Sequence, residues 1–246
     1  MDKKDLQVTL IIPTMNEIDG MEWFMPRLKR EWYDELIVVD GNSTDGTIKY
    51  CRENGYPLLI QSGRGLVNAL DEAFKQASKD IIIAVTPDGN SLPEIIPKLA
   101  QKIREGYDMV IASRYAGAAR SYDDDFFTRL GNRMFTMMIN LIFRGKYTDS
   151  LVAYRAYRRD AIDKMYLCDQ DKTCWLKKRY LEMNSWEVAS AIRAAKLGLK
   201  VCDVPGDEPK RIGGERKLSI VRNGLAVVFQ IFHELIIGLN FSKRNL

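Results

Sequence analysis

The sequence predicts an α/β fold in which a mostly parallel sheet carries helices on both faces. Short apolar segments rich in β-branched residues alternate with segments of helical periodicity through the first half of the chain. This alternating order is typical of parallel sheets. Polar segments with acidic residues follow the apolar ones. Ligands bind at the carboxyl ends of the strands in such sheets, so these polar segments form the candidate site.

The predicted elements follow from these patterns in chain order. The strand-like segments are residues 8–14, 35–40, 58–61, 80–86, 108–113, 152–157 and 201–205. The helical segments are residues 17–30, 47–54, 67–77, 92–105, 126–143, 185–197 and the stretch from residue 219 onward. Residues 166–184 are rich in charge and receive no assignment.

The composition excludes several classes of protein. Of 246 residues, 46% are hydrophobic and 28% are charged, which fits a globular domain better than a disordered chain. The net charge of +4 is low for a nucleic-acid binder, so no nucleic-acid partner is expected. One histidine and four cysteines without a CxxC pair argue against a zinc site and favour a reduced compartment.

The hydropathy pattern predicts neither a signal peptide nor a clean membrane span. The apolar run at residues 8–12 is too brief for a signal peptide. The most apolar stretch, residues 225–239, is interrupted by Gln230, His233 and Glu234. Contact with a membrane surface stays open.

Acidic residues follow the first two predicted strands. Asp40 ends a buried strand, where its carboxylate could accept hydrogen bonds from a nucleobase or ribose, or could serve the turn geometry of the segment that follows. Glu17 could accept a ribose hydroxyl, or could occupy the first turn of a helix, where the dipole favours an acid. We favour ligand binding for Asp40.

Asp88 and Asn90 follow the fourth predicted strand, two residues apart. Hard oxygen ligands at this spacing can hold Mg²⁺ or Mn²⁺ against a diphosphate, and the cation offsets charge on a leaving group. A Pro-Asp-Gly-Asn turn explains the same residues without a metal. We expect Asp88 to be a metal ligand.

Several arginines could meet phosphate groups, because guanidinium binds phosphate in a bidentate way. Arg114 follows the fifth strand, and Arg129 and Arg133 share one face of the predicted helix 126–143. A solvated basic face is the alternative, and we favour it for Arg133 and Arg159. Residues 211–217 combine two glycines with three cations and could close over a diphosphate or form a charged linker.

The motifs together resemble those of the inverting GT-A glycosyltransferases of family two, in particular the branch similar to dolichyl-phosphate mannose synthase. The resemblance rests on IIPTMNE, VVDGNSTDGT, Asp88 with Asn90, SRY at 113–115, TRLGNRMF at 128–135, DSLVAYRAYRR at 149–159 and RIGGERKLS at 211–219. It covers nearly the whole chain apart from residues 166–184. The family usually has two acids at the metal motif, and Asn90 departs from that pattern.

The resemblance implies a GT-A fold and a set of site residues. The implied donor-binding residues are Pro13, Glu17, Asp40, Asp88, Arg114 and Arg211; the metal ligands are Asp88 and Asn90, for Mg²⁺ or Mn²⁺; and the catalytic residues are Asp88, Arg129 and Lys217. It also implies a catalytic domain over residues 1–217, with the donor site mainly in 8–115 and the acceptor side in 116–217. Residues 218–246 then form a C-terminal helix.

The acceptor follows from the balance of charges. A phosphate monoester is already ionised at neutral pH and needs cations to hold it, whereas a sugar hydroxyl needs a base. The chain offers many arginines and no compelling base, so we expect transfer of a hexose from a UDP- or GDP-sugar to a dolichyl or undecaprenyl phosphate. Glu187, at the start of a helix, stays undecided because relatives that extend saccharides place a base near this position.

The apolar helices 126–143 and 219–240 predict where this transfer occurs. Helices with such an apolar face lie in the headgroup region of a membrane, or pack against each other or a second copy of the chain. We expect a peripheral protein at the cytoplasmic face of a membrane. The alternatives are a family-two enzyme that extends a glycan chain and a catalytically silent nucleotide-sugar-binding protein.

Overall fold

The computed structural model describes residues 5–168, 185–212 and 220–241, with no side-chain detail for 220–222. Its centre is one seven-stranded sheet with strand order β3-β2-β1-β4-β6-β5-β7. The strands are β1 (Val8–Thr14), β2 (Glu35–Asp40), β3 (Leu58–Ile60), β4 (Ile81–Ala84), β5 (Met109–Ser113), β6 (Arg155–Arg158) and β7 (Val201–Pro205). The predicted α/β class is confirmed.

Eight α-helices lie within the described residues. They are α1 (Ile18–Phe24), α2 (Thr47–Glu53), α3 (Leu66–Gln76), α4 (Ile96–Arg104), α5 (Phe126–Phe143), α6 (Arg159–Lys164), α7 (Trp186–Lys196) and α8 (Ile220–Ile237). Helix α1 is shorter than the predicted segment 17–30, and a 3-10 turn at Met25–Arg27 follows it. Pro26 lies in that turn, and its missing N–H removes a helical hydrogen bond.

Strand β6 differs most from its prediction. The predicted strand 152–157 starts at Arg155, and it runs antiparallel to both of its neighbours, β4 and β5. The other pairings in the sheet are parallel. The sheet therefore brings the carboxyl ends of β1, β2, β4, β5 and β7 to one edge.

Two apolar cores lie on opposite faces of this sheet, because alternate residues of each strand point to opposite sides. Ile11, Val39 and Ile82 belong to one core, and Leu10, Val38 and Ile83 belong to the other. Helices α1 and α4 pack on the second core, whereas α3, α5 and α7 pack on the first. Both faces of β1, β2, β4 and β5 are thus buried, as their continuous apolar sequences predict.

Helix α8 is fixed to α7 by buried charges. Nε of Arg193 lies 2.8 Å from Oε1 of Glu234, and Nζ of Lys196 lies 2.8 Å from the other oxygen of the same carboxylate. Arg193 and Glu234 are almost fully buried. Gln230 donates to the carbonyl of Ser185 at 3.3 Å. This polar contact sets which face of α8 points outward.

Candidate active site

The first two strand ends are joined through Asp40. This carboxylate is fully buried and accepts hydrogen bonds from Oγ1 of Thr14 at 2.8 Å and from N and Oγ of Ser43 at 2.7 and 2.6 Å. Asp40 therefore holds the turn after β2 against the end of β1. Whether it also binds a nucleotide stays a prediction.

The loop after β1 and the loop after β2 are joined again through Asn16 and Glu17. The backbone N–H of Asn16, in the left-handed region at φ 53°, donates to Ser43, and its side-chain oxygen accepts from N–H of Thr44 at 2.8 Å. The N–H of Glu17 donates to Oγ1 of Thr47 at 3.1 Å. Half-buried Glu17 thus lies at the same edge as Asp40, and Pro13 lies within β1 opposite Val39.

Asp88 follows β4 and is nearly buried. Burial raises the pKa of Asp88 above its ordinary value, although Arg211 and a 3.2 Å hydrogen bond from Thr86 oppose the shift. The carboxylate lies 3.3 Å from Nη1 of Arg211, and the same guanidinium lies 3.6 Å from Asp123. The structure therefore brings together two predicted donor-site residues and an acid that the motifs did not indicate.

The turn at Asp88 is tightly packed. Gly89 has φ 82°, and a Cβ on it would lie 2.5 Å from Cγ1 of Ile212. Asn90 is half-buried, and its side-chain oxygen accepts from Ser91 at 3.3 Å. On the other side, a Cβ on Gly20 would lie 2.3 Å from the carbonyl oxygen of Pro87. The position of Asp88 is therefore fixed from two directions.

Arg114 lies in a buried cluster of acids. It makes a bidentate pair with Asp149, at 2.6 and 3.1 Å, and its Nη1 lies 3.6 Å from both Asp124 and Glu208. Burial opposes ionisation of Asp149, yet the adjacent guanidinium lowers the pKa of this carboxyl below its ordinary value. A direct contact between Arg114 and a donor stays a prediction; its observed contacts hold the loop after β5.

Helix α5 joins this cluster through a polar side chain on its packed face. Nδ2 of Asn132 lies 3.2 Å from the hydroxyl of Tyr115, which donates to Asp124. Arg129 is exposed, and its Nη2 donates to the carbonyl of Ser121 at 3.3 Å. Arg129 thus lies at the rim of the loop that carries Asp123 and Asp124. Lys217 lies outside the described residues.

Arg159 and Glu187, both considered from the sequence, and the nearby Arg155 lie in structural positions. Arg155 is fully buried and donates to the carbonyls of Ser150, Val152 and Glu187. Arg159 donates to the carbonyls of Ala77 and Lys79. Glu187 is also buried, in the first turn of α7.

Helices α5 and α8 expose a stripe of apolar side chains each. We call these two rows the apolar stripes; they repeat at intervals of three and four residues and comprise Phe126, Leu130, Met134, Met137 and Leu141 on α5, and Leu225, Phe229, Phe232, Ile236 and Leu239 at α8. Leu141 is 81% exposed and Ile236 is 80% exposed. The helices pack together, since a Cβ on Gly224 would lie 3.6 Å from the ring of Phe135. Within the described part of the chain, no helix is long and apolar enough to cross a membrane.

Comparison with known proteins identifies the family. The model of glycosyl transferase family 2 matches residues 9–166, a range that includes Asp40, Asp88 and Arg114. The chain belongs to glycosyl transferase family 2. The membership predicted from the motifs is thereby confirmed.

Relatives of this family 2 chain include enzymes named for polyprenyl-phosphate acceptors. It is 26% identical to glycosyltransferase AglJ of Haloferax volcanii, over 92% of this chain and 71% of that protein. It is 29% identical to the undecaprenyl-phosphate 4-deoxy-4-formamido-L-arabinose transferase of Proteus mirabilis, over 68% and 53%. It is 32% identical to the dolichol-phosphate mannosyltransferase of Pyrococcus furiosus, over 51% and 38%. The matches thus span about half or less of the latter two proteins.

Solved structures share the fold. Glucosyl-3-phosphoglycerate synthase of Mycobacterium tuberculosis, crystallised with Mn²⁺, UDP and phosphoglyceric acid, matches with a TM-score of 0.66. The match covers 100% of this chain and 82% of that one at 17% identity. At this identity the likeness establishes the GT-A type of fold and not the substrates.

Proposed function

We propose that this family 2 protein transfers a hexose from a nucleotide-diphosphate sugar to a polyprenyl phosphate at a membrane surface. The observation that carries the proposal is the position of α5. Asn132, on the packed face of α5, lies 3.5 Å from Asp124 in the acidic loop beside Asp88 and Arg211, while the opposite face of the helix exposes an apolar stripe. One helix therefore joins a candidate donor site to a surface suited to lipid.

The residues at Asp88 fit a divalent cation. Among the described residues, no group of three His, Cys, Asp or Glu side chains is placed to hold a metal ion. Mg²⁺ at phosphate-binding sites typically needs one or two carboxylates, with water and the substrate phosphates as further ligands. Asp88 and Asn90 offer such oxygens from one turn after β4. The Mn²⁺ bound to the structural relative supports the same role.

These residues would act by charge and position. Bound at Asp88 and Asn90, Mg²⁺ or Mn²⁺ would supply positive charge against the leaving diphosphate. A phosphate oxygen of the acceptor attacks the anomeric carbon, the bond from that carbon to the donor diphosphate breaks, and the configuration inverts. Arg129 and Lys217 are proposed to hold the acceptor and diphosphate anions. No proton has to leave the nucleophile.

The burial of Glu187 supports a mechanism without a base. A general base for a sugar hydroxyl must reach the substrate directly or through one water. Glu187 is instead 8% exposed, and its carbonyl accepts from buried Arg155 at 2.8 Å. These contacts favour a structural role for the start of α7 and weigh against the glycan-extending alternative.

The apolar stripes support contact with a membrane, at the cytoplasmic face in our proposal. A lipid acceptor carries its phosphate at the headgroup level, where an interfacial helix buries its apolar face. Arg129 and Arg133 lie on α5 and are exposed, so anionic headgroups would meet positive charge beside the stripe. A second copy of the chain could instead cover the stripes.

An acceptor panel tests the proposal. Purified protein is incubated with UDP- and GDP-sugars and either a short polyprenyl phosphate or the matching polyprenol, and the products are read by mass spectrometry. We expect product from the phosphate alone, and we expect Glu187→Gln to retain most of the activity. Transfer to a free oligosaccharide that is lost in Glu187→Gln would favour glycan extension, and the absence of any donor turnover would favour a silent binding protein.

A further inference from the structure

Arg211 is held against the proposed metal ligand by the next residue, Ile212. The N–H of Ile212 donates to the carbonyl of Asp88 at 2.9 Å, and the Ile212 side chain fills the space above Gly89. Nη1 of Arg211 then lies 3.3 Å from Oδ2 of Asp88, and Nη2 lies 3.6 Å from Oδ2 of Asp123. The pair is thus anchored on both sides of the turn, unlike a surface ion pair between two free side chains.

A metal ion and this guanidinium make incompatible demands on Asp88. A divalent cation binds a carboxylate oxygen at about 2.1 Å and brings its own shell of oxygen ligands. A guanidinium beside the same oxygen would occupy part of that shell and would repel the cation. With Arg211 in place, one protein cation offsets part of the negative charge of Asp88 and Asp123.

We propose that Arg211 and the divalent cation compete for the carboxylate of Asp88, so that binding of the cation releases Arg211 from Asp88 and Asp123. The inference rests on the metal role of Asp88 in the proposed function. The released guanidinium is then available to an anionic ligand at the same edge of the sheet. Binding of the metal thereby also frees Arg211 to bind a phosphate group.

Competition and a purely structural role of Arg211 predict different changes in metal affinity when Arg211 is removed. If Arg211 only supported the fold of the turn, removing it would weaken or leave unchanged the binding of a metal. If it competes, removing it strengthens metal binding, although transfer activity falls because a proposed donor contact is lost.

Mn²⁺ binding to the donor-free protein provides the test, with free Mn²⁺ followed by electron paramagnetic resonance. We expect Arg211→Ala to bind Mn²⁺ roughly tenfold more tightly than the wild type, as expected for loss of a charge-assisted contact. Arg211→Lys, which keeps the charge and loses the planar fork, should fall between them. Arg120→Ala is the matched control, because Arg120 is an exposed arginine of the neighbouring loop with no ion pair to Asp88 among the described residues.

The outcomes separate this proposal from the metal assignment beneath it. If Asp88→Asn binds Mn²⁺ as the wild type does, or if no variant binds Mn²⁺, Asp88 is not a metal ligand. Either result refutes both the metal assignment and the proposed competition. If Asp88→Asn abolishes Mn²⁺ binding, Asp88 is a metal ligand. If Arg211→Ala then strengthens Mn²⁺ binding no more than Arg120→Ala does, only the proposed competition is overturned.

Discussion

Nε of Arg114 lies 2.6 Å from Oδ2 of Asp149, and Nη2 of the same guanidinium lies 3.1 Å from Oδ1. Both residues are buried, and Asp149 also accepts from the backbone N–H groups of Leu151 and Val152. The pair therefore connects the loop after β5 to the segment that leads into β6. Removing Arg114 would leave the carboxylate of Asp149 inside the protein without its cation.

We expect Arg114→Gln to lower the free energy of unfolding by about 3–5 kcal/mol at pH 7, because a buried unpaired carboxylate is costly. The pKa of Asp149 is lowered in the fold, so the pair stabilises above the ordinary pKa of an aspartate and loses this effect as the pH falls through the lowered value. Urea denaturation from pH 7 to pH 3 should show the deficit of the variant shrinking with acid.

The double variant Arg114→Gln/Asp149→Asn is the control for this pair. It removes both charges, so its deficit should be smaller than that of Arg114→Gln and nearly independent of pH in the same range. A deficit of Arg114→Gln that stays constant from pH 7 to pH 3 would contradict the coupling.

We expect Asp88→Asn to abolish sugar transfer while the protein stays folded, since the change removes the proposed metal-binding charge without changing the shape of the side chain. The reverse change, Asn90→Asp, should tighten Mn²⁺ binding by adding a second carboxylate. Transfer assays with and without chelator, together with Mn²⁺ titration, measure both effects. Asp163→Asn, at an exposed carboxylate, serves as the control; full activity of Asp88→Asn would refute the metal assignment.

We expect Ile236→Glu and Leu141→Glu each to lower binding to anionic liposomes by roughly tenfold or more, because each replaces an apolar contact worth about 1.5–3 kcal/mol with a charge. Co-sedimentation at two salt concentrations is the measurement, and binding should weaken at high salt. Leu66→Glu, an exposed leucine outside the apolar stripes, should bind as the wild type does. A wild type that dimerises through these residues and ignores liposomes would assign the stripes to a second copy instead.

We expect Glu234→Ala to lower the free energy of unfolding by about 3–5 kcal/mol, because it leaves Arg193 buried without its carboxylate. The matched control is Glu53→Ala, which removes an exposed acid 3.7 Å from Lys49 and should cost less than about 1 kcal/mol. Urea denaturation measures both. An equal effect of the two changes would show that the buried contact between α7 and α8 is not what fixes α8.

Much of the fold could be predicted because its signals are local. Strands β1, β2 and β7 and helix α5 have the bounds that the sequence predicts, since each is an apolar or amphipathic run with polar residues at its ends. The direction of β6 could not be predicted in this way. Antiparallel insertion between β4 and β5 is decided by pairing with segments distant in the chain.

The candidate site also contains residues that local sequence patterns predict and residues that only contacts between distant segments bring together. Asp40 ends a buried strand and Asp88 follows another. Because ligands bind at the carboxyl ends of parallel strands, the sequence predicts that both residues lie at the ligand-binding edge of the sheet. The cluster around Arg114 draws Asp149 and Glu208 from positions 35 and 94 residues further along. No local pattern links residues so far apart, although Asp149 stands in one of the motifs that carry the family resemblance.

The insertion of β6 between β4 and β5 also affects how the chain folds while it is being synthesised. β4 and β5 have no hydrogen bonds to each other and meet only through Arg155–Arg158, which are synthesised more than forty residues after β5 ends. Until then β4 and β5, which precede Asp88 and Arg114, each have an open edge, and such edges favour pairing with other chains. A nascent chain stopped near residue 120 should aggregate or require a chaperone.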